Sequence, residues 1–194
     1  MELTEIQHIL SRLYTEDTFR ESFFADRNSF FKNHKIDSDE TIRFLNELKQ
    51  EQVDFFAKGL FAKRFHAVVK LLPITTALLA EKAQTYFREF ANQFNPSGTH
   101  KHHADALSFC DFLFEKSIPI NYPQVFFKEM LRFEKKQIGN FISPQAWTIS
   151  IFKYNPLYCQ RVINAGDKFE IPKQSTTIMI WRKGQIKRVF GRKL

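Results

Sequence analysis

The most chemically concentrated stretch of this chain is GTHKHHADALSFCDF, residues 98–112, which holds His100, His102, His103, Asp105 and Cys110. Imidazole, carboxylate and thiolate are the ligands of zinc and its neighbours, so a metal-dependent enzyme is the first function to weigh. The spacing is against it. His100 and His102 are two apart in a polar linker, and His103 and Cys110, seven apart, would share a helix face that Asp105 would not. No second Cys/His pair elsewhere completes four ligands. The plainer expectation is a solvated linker entering a helix, with Thr99 as its cap and Cys110 in the core beside Phe109, Phe112 and Leu113. His66 follows Lys63 and Arg64 on what reads as the basic face of a helix, and His8 and His34 have no nucleophile or acid near them. There are six glycines and no G-x-G-x-x-G, Walker or G-x-S-x-G pattern. No catalytic or metal-ligating residue is therefore assigned, and the chain is expected not to be an enzyme.

The elements that must position any site are legible from periodicity and punctuation. With 194 residues, 43% hydrophobic and 26% charged, the chain can bury one good core or two small ones. LTEIQHILSRLY places Ile6, Ile9, Leu10 and Leu13 on one stripe behind a capping box of Thr4 and Gln7. TFRESFFADRNSFF opens on a second box, Thr18 and Glu21, and DSDETIRFLNELK pairs Asp37 with Glu40. QEQVDFFAKGLFAKRFHAVVKLL runs to Pro73, which forbids simple continuation, and ITTALLAEKAQTYFREFANQF follows as a further amphipathic segment. NPSG at 95–98 is a stop and turn. The expected division falls there, into a helical domain of residues 1–95 and an α+β domain of residues 96–194.

Beyond the linker, HADALSFCDFLFEK and YPQVFFKEMLRFEKKQIGN are helical, the second with Pro123 in its first turn. The period then changes. WTISIFKY alternates, with Trp147, Ile149 and Ile151 on one face and Thr148, Ser150 and Phe152 on the other. KFEIP is a short strand candidate, and TTIMIWRKGQIKRVF is a hairpin turning at Lys183-Gly184. The fold class is α+β, with an all-helical N-terminal domain followed by helices carrying a small antiparallel sheet. Phenylalanine is frequent, 23 residues with doublets at 23–24, 30–31, 55–56 and 126–127. Neighbouring rings on a helix diverge by about 100°, so such helices are expected to be contacted on two sides.

Charge and compartment bound the partners. Cys110 and Cys159 form no Cys-x-x-Cys pair and are expected to be reduced and buried. The start MELTEIQHIL lacks the basic-then-apolar order of a signal peptide, and no run approaches the ~20 apolar residues of a membrane span. A cytoplasmic protein is expected. The net charge of +8 lies entirely in residues 144–194, which hold ten Lys/Arg against two acids, whereas the first 143 residues hold nineteen of each. WRKGQIKRVFGRKL concentrates it, with six cations and no acid from Arg182 to Lys193. Such a hairpin could grip phosphates while Trp181 or Phe190 stacks on bases, or receive an acidic peptide at a sheet edge. It could also be a solvated edge whose lysines prevent aggregation.

The order of ALSFCDFL, YPQVFFKEMLRFEKKQ, SPQAWTISIFKYNP and TTIMIWRKGQIKRVF resembles a family once catalogued as a DNA-binding domain. Its members are accessory partner proteins of multinuclear non-haem iron-dependent oxidative enzymes that modify ribosomal peptides. Three segments carry the likeness: Arg132-Phe133-Glu134, the strand from Pro144 to Pro156 ending in YNP, and Ile180-Trp181-Arg182 with Gly184. The N-terminal segment ESFFADRNSFF has no counterpart in it. The resemblance implies a non-catalytic protein that binds the iron enzyme and presents a precursor peptide to it. The iron would belong to the enzyme, so no cofactor is expected in this chain. The helices would dock the enzyme, and Trp147, Trp181, Arg182, Lys183, Lys187 and Arg188 would form the contact set. The alternative is a regulator that binds nucleic acid through the basic hairpin.

Overall fold

The computed structural model describes residues 3–96, 99–145, 147–167 and 170–191. Among them the chain forms α1 (Leu3–Thr15), α2 (Asp17–Ala25), α3 (Arg27–Asn33), α4 (Asp39–Asn46), α5 (Gln50–Leu71), α6 (Pro73–Leu79) and α7 (Lys82–Ala91). Then follow α8 (Lys101–Glu115), α9 (Gln124–Ile142), β1 (Thr148–Phe152), α10 (Pro156–Ala165), β2 (Thr177–Arg182) and β3 (Gln185–Phe190). The class is α+β, with one antiparallel sheet in the order β1-β2-β3. No helix among these residues is long and apolar enough to cross a membrane.

Local chemistry accounts for several boundaries that periodicity smooths over. The segment 18–31 is two helices, not one. Asp26 leaves the helical region and accepts hydrogen bonds from the backbone N–H and the hydroxyl of Ser29, which starts α3. Neither Thr18 nor Asp37 caps a helix. α2 follows Glu16 with no side-chain cap bond, and Ser38 caps α4 by accepting from Thr41 N–H. The segment after Pro73 also divides, because Ala80 takes a positive φ of 50° between α6 and α7. At 170–172 the backbone is not a strand, while residues 97–98, 168–169 and 192–193 of the expected turn, strand and basic tail lie outside the described residues. His100, not Thr99, occupies the N-cap of α8.

By Cα proximity the chain divides into Met1–Phe65 with Arg88–Asn95, and His66–Phe87 with Pro96–Leu194. The chain thus crosses between the units at 65/66, 87/88 and 95/96, and residues 66–87 group with the sheet. The first unit is built on phenylalanine. Phe19, Phe23, Phe30 and Phe31 pack edge-to-face with ring centres 4.9–6.2 Å apart, joined by Ile9, Leu13, Ile36, Leu45 and Val53. Arg27 closes this core by donating to the carbonyls of Leu45, Asn46 and Leu48 at the end of α4. The doublets behave differently from one another. Phe126 and Phe127 are both buried, and Phe55 and Phe56 are both exposed, at 74% and 59%.

In the second unit α9 is central. Its Phe133 packs against Phe152 of β1 and Trp181 of β2, with ring centres 5.7 and 6.3 Å away. The next residue, Glu134, is fully enclosed and accepts hydrogen bonds from the backbone N–H groups of Ile74 (2.6 Å) and Thr75 (2.9 Å). These are first-turn donors of α6, which lack intrahelical partners. Burial pushes the Glu134 carboxyl up to about 7, against the opposing pull of the hydrogen bonds from Thr75 and Ile74.

The hairpin tip is held down rather than free. Lys183 N–H donates to the Gln145 carbonyl, and Lys183 and Gly184 take positive φ, 48° and 77°, as a two-residue turn matching the twist of the strands requires. A Cβ on Gly184 would stand 2.5 Å from the Asn140 carbonyl oxygen.

Two outcomes are expected. Gly184→Ala combines a left-handed backbone with that collision and should cost about 2 kcal/mol or more, seen as a lowered midpoint in urea. An unchanged midpoint would refute the packed tip. The second concerns pH. A folded pKa of about 7 against the ordinary 4.5 means that the folded state holds an extra proton between those values. The stability this proton confers is complete below 4.5 and is lost as pH rises through 7, a swing of at most about 3 kcal/mol. Glu134→Gln should flatten that slope in urea melts between pH 5 and 8, and a slope equal to wild type would exclude Glu134 as its source.

Candidate functional site

The histidine cluster does not assemble. His100 and His102 are exposed, and His103 stacks on the Phe141 ring at 5.2 Å. Partial burial, then the neighbouring His100 and His102, hold the His103 pKa below its ordinary value. Cys110 is enclosed and its thiol pKa is raised by burial, and the Cys159 thiol is pushed up to about 12 for the same reason. Among the described residues no three His, Cys, Asp or Glu side chains come together as a metal would require.

The sheet is more informative. β1 pairs with β2 so that Thr148 faces Trp181, Ser150 faces Met179 and Phe152 faces Thr177 on the side turned to α9. Trp181 and Met179 are enclosed there, so narrow side chains must stand opposite them. Alternation then sends the isoleucines outward, with Ile149 67% and Ile151 57% exposed. Across the outer face run two rows, Ile151–Ile178–Phe190 and Ile149–Ile180–Arg188. At the corner Trp147 is 58% exposed, and the Arg182 guanidinium stands 5.0 Å over its ring, within cation–π range.

Of the six expected contact residues, then, Trp147, Arg182 and Arg188 share this outer face. Lys183 sits in the turn. Lys187 is the extra residue of a β-bulge opposite Ile180 and Trp181, and its ammonium donates to the Gln185 amide oxygen at 2.6 Å. Trp181 is a correction. It is 1% exposed because its place in the pleat turns it onto Phe133, and it can contact no partner.

Residues outside that set complete the site. β1 is an edge strand, and among the described residues side chains of α9 meet its outward backbone groups at one end. Arg132 donates to the Ile151 carbonyl, and Glu129 accepts from Lys153 N–H at 2.8 Å while pairing with Arg132 at 3.2 Å. Since Ile151 C=O points outward, the ladder's alternation places the N–H and C=O of Ile149 and the N–H of Ile151 on the same edge. Beside them lies a cleft of about 290 Å³ lined by Arg132, Lys136, Ile149, Ser150, Ile151 and Phe152. Arg132 and Lys136, one helical turn apart, carry no sequence signal for this role, because only packing of α9 beneath β1 brings them to the edge. The arrangement can add a strand: backbone donors and an acceptor in line, an apolar surface on one side and cations on the other. No family model, no curated protein and no solved structure matches this chain.

Proposed function

We propose that this protein is a non-catalytic, cytoplasmic partner that binds an iron-dependent modifying enzyme and presents a precursor peptide to it, with the peptide pairing along β1. The observation that carries the reading is the edge of β1, with outward backbone groups at Ile149 and Ile151 continuous with an apolar outer face. Burial of an isoleucine or phenylalanine side chain contributes ~1.5–3 kcal/mol, whereas an exposed ion pair contributes ~0.2–1 kcal/mol. The apolar face therefore outweighs the basic hairpin in any affinity, and a polypeptide is the partner able to use both. Phe55 and Phe56, exposed on α5, supply a surface for the enzyme. Arg188, Lys183 and Lys187 are all exposed, which supports the second reading, a nucleic-acid regulator.

Affinity purification of the tagged protein from its native host, with and without nuclease, separates the two. An iron-containing enzyme and a short peptide are expected in both halves, retained through moderate salt. Ile149→Pro removes only an outward N–H on an edge strand, where proline is tolerated. It should release the peptide while leaving the melting temperature within a few degrees of wild type. Nucleic acid recovered without a protein partner, lost steeply as salt rises, would overturn the adaptor reading.

A further inference from the structure

We infer that the strand received by β1 alternates apolar and acidic residues, and that Lys136 selects it. The inference rests on the reading of β1 as a peptide-binding edge. It follows from the pleat. Side chains of an added strand point alternately to the two faces of the sheet. Those on the outer face extend the row of Ile149 and Ile151, where apolar residues gain most. Those on the inner side stand over the cleft lined by Arg132 and Lys136.

The charge of that cleft is specific in its distribution. Glu129 lies beside Arg132 at 3.2 Å and offsets its charge, and both are also tied to the backbone of β1. Lys135, the neighbour of Lys136 on α9, is paired with Asp111. Lys136, half-buried in the cleft wall, is left to meet a carboxylate from the incoming strand. The same two side chains set the register. Glu129 and Arg132 already hold Lys153 N–H and Ile151 C=O, so pairing is confined to the stretch around Ile149. That accommodates about five residues of peptide, three apolar and two acidic, in either strand direction. A second copy of this chain is disfavoured at the same edge. Its β1 carries Thr148 and Ser150 where acids are wanted, and it would bring its own Arg132 and Lys136 against the first pair.

The test uses three synthetic, end-capped, fluorescein-labelled peptides in polarization titrations with the full chain at low salt: VEVEV, VTVTV and VKVKV. The expected order is VEVEV first and VKVKV last, with about tenfold between the extremes, the scale of one or two half-exposed charge pairs. Lys136→Glu should invert that order. Equal affinity for all three peptides, or an order indifferent to Lys136→Glu, would overturn the selectivity and leave β1 as a peptide edge. No binding by any peptide, or binding that survives Ile149→Pro, would overturn both. Sedimentation of the protein alone covers the remaining occupant: a dimer abolished by Ile149→Pro would assign the edge to self-pairing and end the proposal.

Discussion

A carboxylate enclosed on every side governs the second unit. Glu134 sits inside α9, where an ionised or half-ionised group must be met by donors. The first turn of a helix offers adjacent N–H groups without intrahelical partners, and α6 brings those of Ile74 and Thr75. Pro73 makes this possible. It ends α5, begins α6 and contributes no N–H of its own, so the donors that remain face Glu134. One residue earlier, Phe133 turns about 100° around the same helix and enters the sheet. A single helical step thus holds α6 on one side of α9 and β1 and β2 on the other. This is why residues 66–87 group with the C-terminal part of the chain.

The orientation of the sheet follows from that anchor. Phe133 draws Trp181 and Phe152 inward, and Met179 joins them. Two large side chains on β2 leave room opposite only for Thr148 and Ser150, so the β-branched apolar residues of β1 have no inward place. At the far end the hairpin tip rests on the Asn140 carbonyl and on Gln145, through a glycine that brings backbone against backbone. The sheet is therefore clamped at both ends, and its outer face is a consequence of the core rather than of a loose hairpin.

What could be read from the residues alone divides along the same line. Helices α1, α5, α8 and α9 and the β2–β3 hairpin were legible, because periodicity and the Lys183-Gly184 turn are local properties. α10 carries its own local signals: Asn155 caps it, Pro156 opens it and Gly166 closes it in the left-handed region. Its YNP start sits directly after a strand, so the alternating pattern of β1 runs up to the cap and masks it. The breaks at Asp26 and Ala80 lie within amphipathic runs, where a 3.6-residue period continues across them. The alternation of β1 was plain, but which face turns inward depends on the bulk of Trp181 and Met179 across the ladder. For the same reason Trp181, expected from the hairpin and the resemblance to meet a partner, lies instead against Phe133. Arg132 and Lys136 were invisible as site residues, since a basic step on a helix is ordinarily a solvated face.

The excess positive charge and the apolar sheet face occupy one segment of the chain, and they make different demands. Cations alone are satisfied by any polyanion, and salt weakens that attraction within a Debye length of ~8–10 Å. Ile149, Ile151 and Phe190 gain from a partner only if it is apolar where it touches them. Nucleic acid meets the first demand and offers the isoleucines no matching surface beyond base faces near Trp147. A polypeptide strand meets both through its own alternation, one side apolar and the other charged, while its backbone satisfies the groups exposed along β1. On this reading the cations of the hairpin speed and orient encounter, and the outer face and edge determine what stays bound.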